Sequence, residues 1–202
     1  MKPFVVGIAG GSGSGKSTLA IGLQKTFPNA VLIFHLDDYF KPEADVPVRA
    51  NMANWDHPQA LYYTKMVHDL AALKAGKTVT VLTKSPALNP SFVKTGKRIP
   101  VDFVPQQIII VEGFLVLHYP KIRKLLDMSV FLDAPFYVHS QRRVHGKLHN
   151  FPPDYDSAVL RPMHDRYVTP SRVHADTVLN VTQLNQTQVL ATVAGLIAKR
   201  TT

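Results

Sequence analysis

A glycine-rich stretch near the start of the chain, GGSGSGKS (10–17), has the residue types and spacing of a phosphate-binding loop. Four residues separate Gly10 from the tripeptide GKS at 15–17, which matches the pattern G-x-x-x-x-G-K-[ST]. The glycines let several backbone N–H groups turn towards one phosphate chain, and the dipole of a helix that begins at Lys16 faces the same anion. In such a loop the lysine contacts the β- and γ-phosphates, and the hydroxyl of Ser17 binds Mg²⁺.

The predicted ligand of this loop is ATP. The stretch FVVGIA (4–9) before the loop is typical of a buried strand, and STLAIGLQKTF (17–27) after it has helical spacing. A phosphate loop requires this context, and a flexible glycine linker does not have it. The overlapping G-x-G-x-G differs from the dinucleotide fingerprint G-x-G-x-x-G, which argues against NAD. We expect ATP to contact Gly11, Ser12, Gly13, Ser14, Gly15, Lys16, Ser17 and Thr18.

Two adjacent carboxylates, Asp37 and Asp38, follow the apolar run in VLIFHLDDYFKP (31–42). Phosphoryl transfer needs a group that orients the nucleophile, and a carboxylate can do this by accepting a hydroxyl proton. Because side chains alternate along an extended chain, only one of the two should face the phosphates. We expect Asp37 to be that residue and Asp38 to face solvent or hold the loop. The alternative is that both are ordinary turn residues.

Another carboxylate ends the stretch QQIIIVEGF (106–114). Its four consecutive β-branched residues are typical of a parallel strand that is buried on both faces. Because strand ends lie beside the loop in phosphate-loop folds, we expect Glu112 to hold Mg²⁺ together with Ser17, directly or through water. The alternative is a solvated acid at the end of a strand.

A basic segment, QRRVHGK (141–147), is predicted to act as a lid over ATP. Arg142 and Arg143 would neutralise charge on the transferring phosphate, which adds them to Asp37 and Lys16 as candidate catalytic residues. The alternative is a solvated helix face. The two histidines in HGKLH (145–149) are four residues apart but have no evident third partner, so we do not predict a zinc site there.

The short stretch NWDHP (54–58) combines an aromatic ring with a carboxylate. Trp55 is expected either to pack against the loop or to stack on a substrate. Asp56 can accept hydrogen bonds from sugar hydroxyls, because a carboxylate is a strong acceptor.

Strands alternate with helices along the chain, which predicts an α/β fold with a mainly parallel sheet. Further strands are expected in TVTVLT (78–83), MSVFLDA (128–134) and ADTVLNV (175–181), and KTGKRIPVDF (94–103) can supply one more. Helices are expected at 58–76, from 135, at 155–169 and near the carboxyl end. The expected architecture is a three-layer P-loop NTPase fold with helices on both sides of the sheet and a basic lid. We expect one domain over 1–202, with the lid at about 142–155.

Composition narrows the possible functions. The 202 residues include 46% hydrophobic residues and no cysteine, which excludes disulfides, thiolate zinc sites and cysteine nucleophiles. A net charge of +9 favours anionic ligands such as nucleotides. The sequence has no run of 18 apolar residues, the length that would predict a membrane span, and no signal peptide is evident. We therefore expect a cytoplasmic protein. The expected partner is a small nucleoside-type molecule, with neither nucleic acid nor membrane, and assembly into a homo-oligomer stays open.

Several stretches together resemble the uridine kinase and nicotinamide riboside kinase group of phosphate-loop kinases. The similar stretches are GIAGGSGSGKSTLA, LDDYFKPE, NWDHPQAL, IIIVEGFLVLHY and FLDAPFYVHSQRR. The resemblance covers nearly the whole chain. It implies a phosphotransferase that uses Mg²⁺ and ATP to phosphorylate the 5′-hydroxyl of a ribonucleoside-like acceptor.

The resemblance also implies roles for single residues. Asp37 matches the catalytic base, Asp56 the carboxylate that holds the ribose 2′- and 3′-hydroxyls, and Glu112 the acid beside the metal. Arg166, in HDRYVTPSRVHAD, matches a region with basic residues that contact substrate. The expected substrate-binding set is Asp37, Asp38, Tyr39, Trp55, Asp56 and Arg166.

The acceptor itself stays open at this stage. Uridine kinases recognise the pyrimidine through a YDF stretch and a nearby histidine, whereas the corresponding region here reads VLTKSPALNPSF. The stretches DDYFKPE and VEGFLVL favour nicotinamide riboside, and NWDHP and TPSRVHAD favour uridine or cytidine. Alternatives are a related kinase that acts on another small hydroxyl metabolite, or a nucleotide-dependent ATPase or switch. A guanine-specific switch would carry an N-K-x-D motif, which the sequence lacks.

Overall fold

A computed structural model describes residues 2–145 and 151–201, without the side chains of 139, 140 and 143–145. Its central sheet has five parallel strands in the order β2-β7-β1-β8-β9. These strands are β1 (Phe4–Gly10), β2 (Val31–His35), β7 (Ile108–Glu112), β8 (Met128–Asp133) and β9 (Thr177–Asn180). The prediction of a mainly parallel sheet is confirmed.

The central strands are apolar because both of their faces are covered. All five residues of β7 are buried, and they alternate between the two sides. Ile109 and Val111 belong to a core cluster with Leu70 of helix α2, on one side of the sheet. Ile110 belongs to a second cluster with Leu23 of helix α1, on the other side. Each side therefore has its own apolar core, which gives the predicted three layers.

Helices form the two outer layers. They are α1 (Lys16–Thr26), α2 (Tyr63–Lys74), α3 (Phe92–Thr95), α4 (Pro120–Arg123), α5 (Phe136–His145), α6 (Arg161–Met163) and α7 (Gln186–Thr201). Two π-helical turns, Asp156–Leu160 and His164–Val168, flank α6, so the predicted helix at 155–169 is irregular. Over the residues that the structure describes, no helix combines the length and the apolar character needed to cross a membrane.

Two antiparallel hairpins lie outside the central sheet. The segment 41–56 contains β3 (Val48–Arg49) and β4 (Met52–Ala53), which pair with each other. The strands β5 (Val79–Thr83) and β6 (Ile99–Phe103) pair with each other, so they do not extend the parallel sheet. We refer to β5, β6 and the connection between them as the 79–103 hairpin.

The carboxyl ends of β1, β2 and β7 meet at one edge of the sheet. His35, the last residue of β2, is in register with Glu112, the last residue of β7. The two strands then turn so closely together that a Cβ atom on Gly113 would lie 2.4 Å from the Cβ atom of Leu36. Glycine at 113 therefore allows the two strand ends to approach each other.

We expect Gly113→Ala to lower the free energy of unfolding by about 1–3 kcal/mol, because the added methyl group overlaps Leu36 and must push the strand ends apart. Urea denaturation measures this change. Gly195→Ala is the matched control, since no described atom beyond the adjoining backbone of its own helix lies within 4 Å of its added Cβ atom, and alanine is favoured in helix α7. Equal stability of Gly113→Ala and wild type would contradict the tight contact.

Candidate active site

The glycine loop joins β1 to α1 and encloses a buried lysine. Gly13 and Gly15 have φ values of 81° and 94°, which glycine adopts without steric cost. The Lys16 ammonium donates a hydrogen bond of 2.8 Å to the carbonyl oxygen of Gly11. Lys16 is only 9% exposed. The loop therefore surrounds a single positive charge.

Carboxylates surround this ammonium. Burial has the largest effect on Lys16 and lowers the pKa of its ammonium group. The negative charges of Glu112, Asp37 and Asp56 raise that pKa and offset part of the effect. The structure thus brings three of the predicted acidic residues within electrostatic range of the loop lysine.

The loop also contains a polar group that lacks a partner. Ser14 is 2% exposed, and its hydroxyl oxygen has no hydrogen-bond partner among the atoms that the structure describes. A buried hydroxyl without a partner is costly. A phosphate oxygen in the loop would supply the missing acceptor, so this group fits a phosphate ligand.

The predicted metal ligands lie together. The Ser17 hydroxyl donates a hydrogen bond of 3.2 Å to Oε1 of Glu112. The same oxygen lies 2.7 Å from Nδ1 of His35, a contact that the sequence analysis does not predict. A hydroxyl and a carboxylate side by side are oxygen ligands of the kind that Mg²⁺ prefers, so the pair fits this ion.

His35 and Glu112 stabilise each other in their charged forms. Burial by itself raises the pKa of Glu112, but the hydrogen bond with His35 and the charge of Lys16 lower it below its usual value. Burial by itself lowers the pKa of His35, but the hydrogen bond and the negative charge of Glu112 raise it overall. Glu112 is therefore a carboxylate that is buried but already paired.

The adjacent aspartates point apart, although not for the predicted reason. They lie in a 3₁₀ turn, Leu36–Tyr39, rather than in an extended chain. The Asp37 side chain is 51% exposed, and its Oδ2 lies 3.5 Å from the ammonium nitrogen of Lys84. Asp38 is 4% exposed and belongs to the protein interior. Only Asp37 is therefore available to a substrate.

Asp38 connects the turn to the 79–103 hairpin. Its Oδ2 accepts a hydrogen bond of 2.8 Å from the Thr83 hydroxyl, and its Oδ1 accepts one of 2.8 Å from the backbone N–H of Lys84. Burial raises the pKa of Asp38, although these hydrogen bonds act to lower it. Of the two expectations for Asp38, holding the loop is the one that matches its contacts.

Tyr39 corrects one expectation of the sequence analysis. Its ring lies in the core beside Phe34, with 5.2 Å between the ring centroids, and its hydroxyl donates a hydrogen bond of 2.8 Å to Asp69 of α2. The side chain is 3% exposed and therefore lies in the protein interior. The prediction that Tyr39 contacts the substrate conflicts with this placement, because the 3₁₀ turn directs the ring inwards.

Asp56 is held in place by a residue that the sequence analysis missed. The Tyr155 hydroxyl donates a hydrogen bond of 2.8 Å to Oδ2 of Asp56 and accepts one of 3.2 Å from the backbone N–H of Trp55. The Trp55 ring packs edge-on against Phe40, with 5.6 Å between the centroids. Trp55 therefore packs against a residue of the protein, as one of its two expected roles requires. Tyr155 lies 99 residues after Asp56 in the sequence.

The predicted arginines lie in different parts of the site. Arg142 donates a hydrogen bond of 3.2 Å to the carbonyl oxygen of Val181, just after β9. Arg166 is exposed, and its guanidinium carbon lies 5.3 Å from the centre of the Tyr167 ring. Burial and then the charge of Arg166 lower the pKa of His57, the residue after Asp56. The side chain of Arg143 and the lid residues 146–150 lie outside the described part of the chain.

A cavity of about 880 Å³ extends from the glycine loop. Beyond the loop and Arg142, its lining includes residues that the sequence analysis did not select, namely Val181, Leu184, Asn185, Gln186 and Thr187. Val181, Leu184 and Asn185 connect β9 to α7, and Gln186 and Thr187 begin α7. The signal that points to them is their position after the carboxyl end of a parallel strand, where α/β folds bind ligands.

Known proteins share both the sequence pattern and the fold. Residues 5–188 match the model of the phosphoribulokinase/uridine kinase family. The chain belongs to this family. It is 32% identical over 186 residues to proteins named uridine kinase from Bacillus mycoides and Bacillus cereus, an alignment that covers 88% of this chain and 85% of each relative.

Solved structures with low sequence identity share the fold of this family member. A possible uridine kinase from Bacillus stearothermophilus gives a TM-score of 0.64 at 21% identity, over 89% of this chain and 90% of that one. A putative fructose transport system kinase from Silicibacter gives 0.61 at 20% identity, over 88% and 90%. The predicted family, the P-loop fold class and the phosphotransferase activity with an alcohol acceptor are confirmed.

The His35–Glu112 pair makes stability depend on pH. Folding raises the pKa of His35 above its unfolded value of about 6.5. Such a group stabilises the protein fully below its unfolded pKa, and the stabilisation is lost as pH rises through the pKa of the folded state. We expect the difference in unfolding free energy between wild type and His35→Gln to shrink as pH rises from about 6 to about 9. Chemical denaturation at several pH values measures it.

Glu112→Gln provides the companion test. It removes the carboxylate that raises the pKa of His35. The loss of unfolding free energy between about pH 6 and about pH 9 should therefore be smaller in Glu112→Gln than in wild type. Measurements stay above about pH 5, because the stabilisation from Glu112 itself is lost only as pH falls through its lowered pKa. A constant difference between wild type and His35→Gln across the range would contradict the pairing.

Proposed function

We propose that the chain is a Mg²⁺- and ATP-dependent kinase that phosphorylates the 5′-hydroxyl of a ribonucleoside-like acceptor. One observation carries the proposal. Ser17 of the loop donates a hydrogen bond to Glu112, and the charges of Glu112, Asp37 and Asp56 all act on the ammonium of Lys16, which supports a common site for the residues proposed to serve phosphate, metal, hydroxyl and sugar. The names of the Bacillus relatives support the nucleoside acceptor.

On the ATP side, backbone N–H groups of the loop hold the phosphate chain, and Lys16 neutralises charge on the β- and γ-phosphates. The Ser14 hydroxyl gains its missing partner from a phosphate oxygen. Ser17 and Glu112 hold Mg²⁺, which when bound neutralises charge on the phosphate oxygens. Arg142 and Arg143 act from the lid, with Arg142 at the mouth of the cavity where the nucleoside of ATP would lie.

On the acceptor side, Asp37 orients the hydroxyl and accepts its proton as the hydroxyl oxygen bonds to the γ-phosphorus. The bond between that phosphorus and the bridging oxygen of ADP breaks in the same transfer. Asp56, fixed by Tyr155, accepts hydrogen bonds from the sugar diol. Arg166 lies near His57 and contributes a positive charge at this end of the site.

The acceptor is nicotinamide riboside or a pyrimidine nucleoside in this proposal. Mg²⁺-dependent ATP consumption by the purified protein tests it with uridine, cytidine, nicotinamide riboside, adenosine, ribose and pantothenate, and with no acceptor as the control. Turnover that depends on a nucleoside supports the proposal. Turnover with only ribose or pantothenate would replace the acceptor class, and ATP hydrolysis independent of any acceptor would favour a switch or ATPase.

Asp37→Asn should lower the turnover number by about 10²–10⁴-fold, because the amide cannot accept the hydroxyl proton. ATP affinity should stay within about twofold of wild type, since the loop contacts are unchanged. Steady-state rates and nucleotide titration measure the two quantities. Asp45→Asn is the matched control, because Asp45 is exposed in a neighbouring 3₁₀ turn. A near-normal rate for Asp37→Asn would remove this residue from the mechanism.

Asp56→Asn should raise KM for a ribonucleoside by about tenfold or more, because the sugar hydroxyls lose a charged acceptor. The effect should be much smaller with a 2′,3′-dideoxy nucleoside, which has no hydroxyls at these positions. Tyr155→Phe should act in the same direction but more weakly, since it leaves the carboxylate in place without its hydrogen bond. Equal losses with the two acceptors would argue against a contact between Asp56 and the diol.

A further inference from the structure

Lys84 places a second ammonium group at the acceptor end of the site. Its nitrogen lies 3.5 Å from Oδ2 of Asp37 and 5.3 Å from the centre of the Phe40 ring. Its side chain is 30% exposed, so it is partly covered by its neighbours rather than fully solvated. Phe40 in turn contacts Trp55, the neighbour of Asp56. Lys84 therefore lies along the wall that runs from the proposed base towards the proposed sugar-binding acid.

The protein fixes the backbone around this lysine. The N–H of Lys84 donates to Asp38, the neighbour of Asp37. The side-chain amide of Asn89 donates hydrogen bonds of 3.0 Å to the carbonyl oxygens of Thr83 and Lys97, which closes the connection within the hairpin. The backbone of Lys84 is thus positioned before any ligand binds, which lowers the entropic cost of using its side chain.

A second clamp joins the hairpin to the turn that carries Asp37. The guanidinium of Arg98 donates hydrogen bonds of 2.9 Å to the carbonyl oxygens of Asp38 and Phe40. The hairpin and the turn are therefore connected from both sides, because Asp38 accepts from the hairpin through its side chain and through its backbone. Lys84 and Asp37 belong to one rigid unit of the site.

Stabilisation of the fold does not account for this arrangement, since partly exposed ion pairs stabilise proteins little. Asp37 and Asp56 already supply acceptors for neutral hydroxyl groups. An ammonium has three N–H donors and cannot accept a proton from a hydroxyl. The aromatic ring beside Lys84 also displaces water, which strengthens an interaction with a negatively charged oxygen. A neutral acceptor would leave these donors with a weaker partner.

We propose that Lys84 determines acceptor specificity and that the preferred acceptor carries an anionic oxygen, such as a carboxylate, on the part that lies against the 79–103 hairpin. This inference rests on the proposed nucleoside kinase activity and narrows its acceptor class. It places a charged group on the base of the nucleoside, since the sugar hydroxyls lie against Asp37 and Asp56.

Nicotinate riboside and nicotinamide riboside provide a matched pair of acceptors, because they differ only in a carboxylate and a neutral carboxamide. We expect wild type to prefer the acid by about tenfold or more in kcat/KM, a factor that one charge-assisted hydrogen bond supplies. Lys84→Met should lower kcat/KM for the acid by about tenfold more than it lowers kcat/KM for the amide. Lys84→Arg, which keeps the charge, should retain the preference for the acid.

Lys94→Met is the control variant. Lys94 lies in α3, within the connection between β5 and β6, and its side chain is exposed. This variant therefore loses one positive charge from the same hairpin but keeps the ammonium of Lys84 beside Asp37. Its preference for the acid should equal that of wild type. ATP affinity and melting temperature of Lys84→Met should match wild type, which separates a loss of recognition from a loss of folding.

Three results would overturn the inference while leaving the kinase proposal intact. They are a wild-type preference for the amide, equal losses with both ribosides in Lys84→Met, and turnover of uridine or cytidine without turnover of the acid. Equal losses would mean that Lys84 acts through Asp37 rather than on the acceptor. If no nucleoside supports turnover, the proposed function fails and the inference fails with it.

Discussion

Lys16 is buried inside the glycine loop, and a buried ammonium keeps its charge only beside negative groups. Glu112 is the largest of the negative influences on Lys16, and it is itself buried and therefore needs Lys16 and His35. Each charge thus makes the burial of the other possible. This mutual dependence joins the carboxyl ends of three strands, because the loop follows β1, His35 ends β2 and Glu112 ends β7. The same arrangement leaves an ammonium and carboxylates side by side, which suits a phosphate chain with a divalent ion.

Two neighbouring carboxylates have separate functions because a 3₁₀ turn gives them different environments. Asp37 is half-exposed beside Lys84, whereas Asp38 is buried and accepts hydrogen bonds from the 79–103 hairpin. The buried aspartate thus fixes the turn that presents the exposed one. Removing the Asp38 carboxylate would leave Thr83 and the N–H of Lys84 without their partner, at a cost in both stability and positioning.

Sequence patterns predicted most of the fold because the relevant forces are local. The phosphate loop, the apolar strand that ends at Glu112 and the helical spacing after residue 58 depend on residue types within one short stretch. The placement of Asp37 and Glu112 near Lys16 also follows from the sequence, since parallel strands end at the same edge of a sheet. Membership of the phosphoribulokinase/uridine kinase family is consistent with each of these features.

Contacts between distant residues could be read only from the tertiary structure. Tyr39 ends the turn that carries Asp37, yet it packs in the core, because the turn is 3₁₀ rather than extended. Tyr155 supports Asp56 from 99 residues away, and Lys84 reaches Asp37 across 47 positions of sequence because the hairpin folds back onto the turn. The sequence by itself therefore determined the phosphate loop, the order of strands and helices, and the acids at the strand ends. The tertiary structure decided which of these side chains are buried and which stay exposed, because a side chain's environment depends on packing between elements that no local pattern encodes.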